Sequence, residues 1–221
     1  MRAFVVEVAP GVFGVEAAGG RLVGTLGGQR LCVWSVELAR AIADELEHGL
    51  PGSSDLCFYT LASAEIDVVR GIAPKDAREQ ISKALELDLG GLCEARVEDE
   101  LVRAQLDAYW LASQATVPDV RERMRAHLCA SLRDRVRLAA PPVVAVLWDA
   151  IHRPVLGVLP LLFGDGPLGT SLFREIVERR VLSRVRFGVA MREVDAAMAV
   201  RRVYPRYVEL GGVGGLHAVP A

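Results

Sequence analysis

At 221 residues, with 52% hydrophobic side chains and a mean hydropathy of +0.28, the chain can bury a core of its own, which excludes a disordered protein. The net charge of -2 and the pI near 6.1 argue against a uniformly basic nucleic-acid binder. That balance hides an asymmetry: residues 1–117 hold 10 basic and 18 acidic side chains, whereas residues 118–221 hold 16 and 10.

Phe4, Val5, Val6 and Val8 predict a first strand, and Pro10-Gly11 turns the chain back. Three apolar clusters follow: Val12, Phe13 and Val15; Leu22, Val23 and Leu26; Leu31, Val33 and Trp34. The pairs Gly19-Gly20 and Gly27-Gly28 separate them, as in a tight antiparallel meander. Ser35 is placed as an N-cap, and Leu38, Ala39, Ile42, Ala43 and Leu46 then recur at helical spacing. Gly49 to Asp55 reads as a loop and Leu56 to Leu61 as a further strand or extended segment.

Helices are expected from there on. Ala62 to Arg70 suits a short one, Pro74 opens another that carries Ala77, Ile81, Ala84 and Leu85, and Glu98 to Ala112 gives a third. Pro118 starts a helix ending near Leu138, and Pro141-Pro142 is a break. The expected fold is α+β, with a mainly β region with one helix over residues 1–60 and a mainly helical region over 61–221. The apolar run Val143 to Phe163 contains Asp149, His152, Arg153 and two prolines, so a buried helix with a break at Arg153-Pro154 is expected instead of a membrane span.

Cys32, Cys57, Cys93 and Cys129 are widely spaced, without CxxC or zinc-ligand spacing, and Met1 to Val8 reads as a strand and not a secretory signal. Reduced, mostly buried thiols and a cytoplasmic location are the expectation.

The N-terminal half resembles the ATP12 family of F1-ATPase assembly chaperones. Gly20, Arg21, Val23 and Thr25 match the family's hairpin, and Leu38, Ala39, Ala41, Ile42, Ala43 and Glu45 match its following helix. Leu61, Ala62, Ser63, Ile66 and Asp67 keep the spacing of a later segment; Asp88, Leu89, Leu92, Cys93 and Ala95 resemble the next; Leu101, Val102 and Gln105, with Tyr109 or Trp110, follow. Ala196, Ala197, Arg202, Tyr207 and Gly212 align with the family tail, whose acidic pair falls here on Tyr204 and Pro205. The resemblance implies a non-enzymatic chaperone with no cofactor, whose protein client is an unassembled F1 α subunit. A client would contact the sheet edge and the arginine-bearing helices, with Arg121, Arg125, Arg133, Arg137, Arg179 and Arg202 as the candidate partner-binding residues.

Other chemistry remains open. Gly164, Gly166 and Gly169 form a literal GxGxxG that would serve a small-molecule enzyme, although Pro167 removes one N–H and no βαβ pattern follows; a plain glycine-rich loop is the simpler reading. The same string resembles a segment of chorismate-lyase-like proteins through Pro167, Leu168, Gly169, Leu172 and Phe173, without the rest of that pattern. Asp149 and His152 share a helix face and could pair a carboxylate with an imidazole, or simply form a polar helix end. Glu98, Asp99 and Glu100 suit a helix start. The arginine density of Arg121 to Arg137 also allows a subunit of a larger protein or nucleoprotein assembly.

Overall fold

The computed structural model describes residues 2–48, 58–72, 74–94, 126, 130, 133–152 and 203–214. The chain divides into two compact units. Unit 1 is Met1–Ala77, Ala140–Asp149 and Asp195–Ala221, and unit 2 is Arg78–Ala139 and Ala150–Val194. The fold is α+β, with one antiparallel sheet and several helices.

Strands β1 (Ala3–Ala9) and β2 (Val12–Ala17) form a hairpin around Pro10-Gly11, with Val5 opposite Val15 and a bulge between Glu7 and Ala9. Strands β3 (Arg21–Leu22) and β4 (Cys32–Val33) both pair with β2, at Glu16/Ala17 and at Phe13/Gly14 respectively. The expected meander forms over β1, β2 and β3, but the third cluster returns to β2 and does not extend it past β3. Residues 21–23 and 32–33 act as two halves of one broken strand along β2, and the chain between them leaves the sheet as a loop. Gly24 and Arg30 close its neck as a bridge, with Thr25 N donating to Gln29 O at 2.8 Å. The alternation of apolar residues gave the strands, but only pairing could show that β3 and β4 share one partner.

Helix α1 (Val36–His48) begins where Ser35 caps it, its Oγ accepting from Leu38 N at 3.1 Å. Leu38, Ala39, Ile42, Ala43 and Leu46 are buried, and the helix packs on β1, β2 and β4 against the side that carries Val15 and Val33. Helix α2 (Phe58–Ala64) replaces the strand expected over 56–61, of which Leu56 and Cys57 lie outside the described residues. The reason is tertiary. Both carboxylate oxygens of Glu45 accept from the first amides of α2, Phe58 N and Tyr59 N, each at 3.0 Å. That satisfies two donors of a helix start and overrides the β propensity of the aromatic pair.

A wider, π-helical stretch continues over Glu65–Ile72 and ends in a kink at Gly71, whose ψ of -131° leaves the helix. Helix α3 (Pro74–Glu94) opens on proline as expected and runs beyond Leu87, through Gly90-Gly91. In unit 2, Arg78 reaches the carbonyls of Val136 (2.5 Å) and Ala139 (3.2 Å), capping the helical run over 133–138 at its C-terminal end. Helix α4 (Pro141–His152) starts at the double proline, so the expected break is the gap before it. At 12 residues it is short for a span, and no helix among the described residues is long and apolar enough to cross a membrane.

Helix α5 (residues 203–209) lies in unit 1 and leads into a turn through Gly211 and Gly212. Gly212 has φ +56°, and a Cβ there would collide with Glu65 Oε2 and sit 2.9 Å from Pro142 Cβ. Gly212→Ala is accordingly expected to cost about 3 kcal/mol, from left-handed strain plus overpacking. Urea unfolding checks this: the midpoint should fall while the slope stays constant.

Candidate interaction surface

The centre of unit 1 is a buried carboxylate. Glu65 is fully buried, and Arg70 meets its Oε1 through Nη2 at 2.7 Å and Nε at 2.8 Å. In an α-helix residues five apart stand about 140° from each other. The π-helical turn widens the spiral and brings Arg70 back beside Glu65. Oε2 accepts from the Tyr207 phenol at 2.8 Å and from Val213 N at 3.3 Å. One helical turn before Tyr207, Tyr204 donates to buried Asp149 Oδ2 at 2.6 Å. Two tyrosines on one face of α5 are thus each seated on an acid.

A second acid of the π-helical stretch holds the 24–31 loop. Asp67 accepts from Thr25 Oγ1 at 2.6 Å and from Gly27 N at 2.8 Å, and Ser63 Oγ accepts from Leu26 N at 3.3 Å. Tyr59 donates to Gly24 O at 2.9 Å, and Thr25 Oγ1 also accepts from Gln29 N at 2.9 Å. Thr25 and Asp67 both belong to the residues that carry the family resemblance, and here they are bonded. The loop is held rigidly, with Leu26 67% exposed at its tip.

The sheet face away from α1 mixes apolar side chains with Glu16, and it is exposed at Phe4, Val8 and Leu22 but buried at Gly14 and Cys32. In one row Phe4, Glu16 and Leu22 lie side by side across β1, β2 and β3; in the next, Val6, Gly14 and Cys32. Leu22 and Val8 close over Gly14, since a Cβ there would lie 3.0 Å from Leu22 Cδ2 and 3.2 Å from Val8 Cγ1. Phe4 is 54% exposed, and Val8 and Leu22 are exposed as well. Trp34, also exposed, lies against Gly214. Cys32 is a free, buried thiol whose pKa burial raises against a smaller opposing effect of Arg30.

Of the six candidate arginines, the structure places two. Arg133 pairs with Glu86, and Arg137 pairs with Asp134 at 3.2 Å, one helical turn away; both arginines are exposed. Arg121, Arg125, Arg179 and Arg202 lie outside the described residues. So do the Gly164–Gly169 loop and the Glu98–Glu100 cluster. Asp149 is engaged by Tyr204, whereas His152 is exposed at the last position of α4. Among the described residues no group of three or more His, Cys, Asp or Glu could hold a metal ion. Glu65 was not singled out in the sequence, because its partners lie at an i+5 offset and more than 140 positions away. The alignment of Tyr207 and Gly212 with a family tail was the one signal leading to them.

Burial raises the Glu65 pKa above its ordinary 4.5, with Tyr207, Arg70 and Val213 opposing, and burial followed by the Glu65 charge pushes the Tyr207 phenol well above its ordinary value. The folded state therefore holds the Glu65 proton more tightly than the unfolded chain does. This contribution to stability is complete below pH 4.5 and is lost as pH rises through the raised folded value. Glu65→Gln should remove that fall, so denaturation of wild type and variant across this range should give curves that diverge as pH rises.

Two solved structures of Atp12 from Paracoccus denitrificans resemble this chain throughout. A single-residue variant of that protein is 22% identical, with 95% of each chain covered and a TM-score of 0.51. A second structure is 20% identical, covering 95% of this chain and 96% of that one at a TM-score of 0.52. No family model matches the sequence, and no curated protein matches it. The chain has the fold of Atp12.

Proposed function

We propose that this protein is a non-enzymatic assembly chaperone of the ATP12 kind, acting in the cytoplasm on an unassembled F1-ATPase α subunit. The observation that carries the reading is the likeness of fold along 95% of the chain, together with the Thr25–Asp67 bond that joins two segments of the sequence resemblance. The surface supports it. The exposed apolar side chains of this sheet face, Phe4, Val8 and Leu22, suit a partner whose own interface is apolar until assembly covers it. Arg133 and Arg137, with Arg121, Arg125, Arg179 and Arg202, are proposed as a further contact for client carboxylates.

The test is mass spectrometry of what co-purifies with the tagged protein at native expression level. Free F1 α subunit, without the assembled ATPase, is the expected result. A clean preparation without it, or a stable complex of unrelated proteins, would overturn the reading.

A further inference from the structure

The outer edge of β1 has a backbone chemistry of its own. Two bonds fix which groups face it: Ala18 N donates to Arg2 O at 3.1 Å, and Val23 N donates to Val15 O at 2.8 Å. Backbone groups alternate in direction along an antiparallel strand, so the even-numbered residues of β2 address β1 and the odd-numbered ones address β3 and β4. Through the register, Phe4 with Glu16 and Val6 with Gly14 bond inward. Ala3, Val5 and Glu7 then hold their N–H and C=O outward. Among the described residues β1 pairs with β2 alone.

Sheet edges are ordinarily guarded by charges, prolines or bulges. Here the bulge between Glu7 and Ala9 and Pro10 guard one end, and the charge of Arg2 stands at the other. The Glu7 carboxylate is itself turned back onto Gly11 N at 2.8 Å. From Ala3 to Val6 the edge has no charge, proline or glycine, and Phe4 stands exposed beside it.

We propose that β1 takes up an extended strand of the client polypeptide, which pairs with the outward groups of Ala3, Val5 and Glu7 and lays an apolar side chain beside Phe4 and Val6. The inference rests on the chaperone reading above. Unpaired donors and acceptors in strand register are complementary to another backbone, and the apolar outer row selects alternating apolar side chains. A second copy of this chain would satisfy the same groups, since they are symmetric about Val5. A pairing of about five residues, however, buries on the order of a few hundred Å2, well below the ~1,200 Å2 of a stable specific interface. A strand held for a time and then displaced needs no more.

The experiment is residue-resolved hydrogen exchange of the full-length protein with and without purified F1 α subunit, together with the variant Val5→Pro. The variant deletes an outward N–H and leaves the bonds of Phe4 and Val6 to β2. Expected are slowing of the Ala3, Val5 and Glu7 amides by about tenfold or more in the complex, and α-subunit binding weakened about tenfold in a variant with unchanged circular dichroism. Because the exchange measurement uses the unaltered protein, it decides the matter even if the variant folds poorly. Binding of α with those three amides exchanging as in the free protein would overturn the strand pairing and leave the chaperone reading standing. Absence of α binding would overturn both. Protection that appears without α and rises with protein concentration would assign the edge to a second copy instead.

Discussion

Unit 1 depends on how one buried carboxylate is satisfied. A charge removed from water must be paired and hydrogen-bonded or it destabilises the fold. Glu65 meets that demand with Arg70 on one oxygen and with Tyr207 and the Val213 amide on the other. Each partner constrains a different part of the chain. Arg70 requires the widened turn, Tyr207 orients α5, and the Val213 amide draws in the turn after it, where only a residue without a side chain fits between Glu65 and Pro142.

The same stretch performs a second task two residues later. Asp67 addresses the loop that interrupts the strand along β2, where Thr25 and the Gly27 amide converge on it. Glu45 does the equivalent for the start of α2. In each case a carboxylate on a helix accepts backbone amides of another segment, a loop for Asp67 and a helix start for Glu45. The loop therefore presents exposed Leu26 from a hydrogen-bonded frame.

The consequence for the surface is a division of labour between the two faces of the sheet. Helix α1 takes the face of Val15 and Val33, and the opposite face is exposed at Phe4, Val8 and Leu22. Beside Glu16, that face carries Phe4, Val6, Val8 and Leu22, with Val8 and Leu22 closing over Gly14, where an ordinary half-buried antiparallel sheet would be mainly polar. Apolar side chains left in water at the edge of a sheet are a liability in a solitary protein.

Local patterns were sufficient to read the hairpin at Pro10-Gly11, the Ser35 cap, the buried face of α1, the proline start of α3 and the α+β class. Each follows from neighbours within a few positions along the chain, where periodicity and capping chemistry act. The resemblance in sequence also pointed to Thr25, Asp67, Tyr207 and Gly212 as positions that matter, without saying what they touch. Tertiary structure alone decided the rest. The aromatic run at Phe58 is helical because Glu45 caps it from another element; β3 and β4 are one broken strand because both find β2; and Glu65 is central because its partners arrive from a widened turn and from the far end of the chain. Spacing along a sequence reports which face a residue occupies, but the pairing of a buried charge is settled by what else is brought to that place.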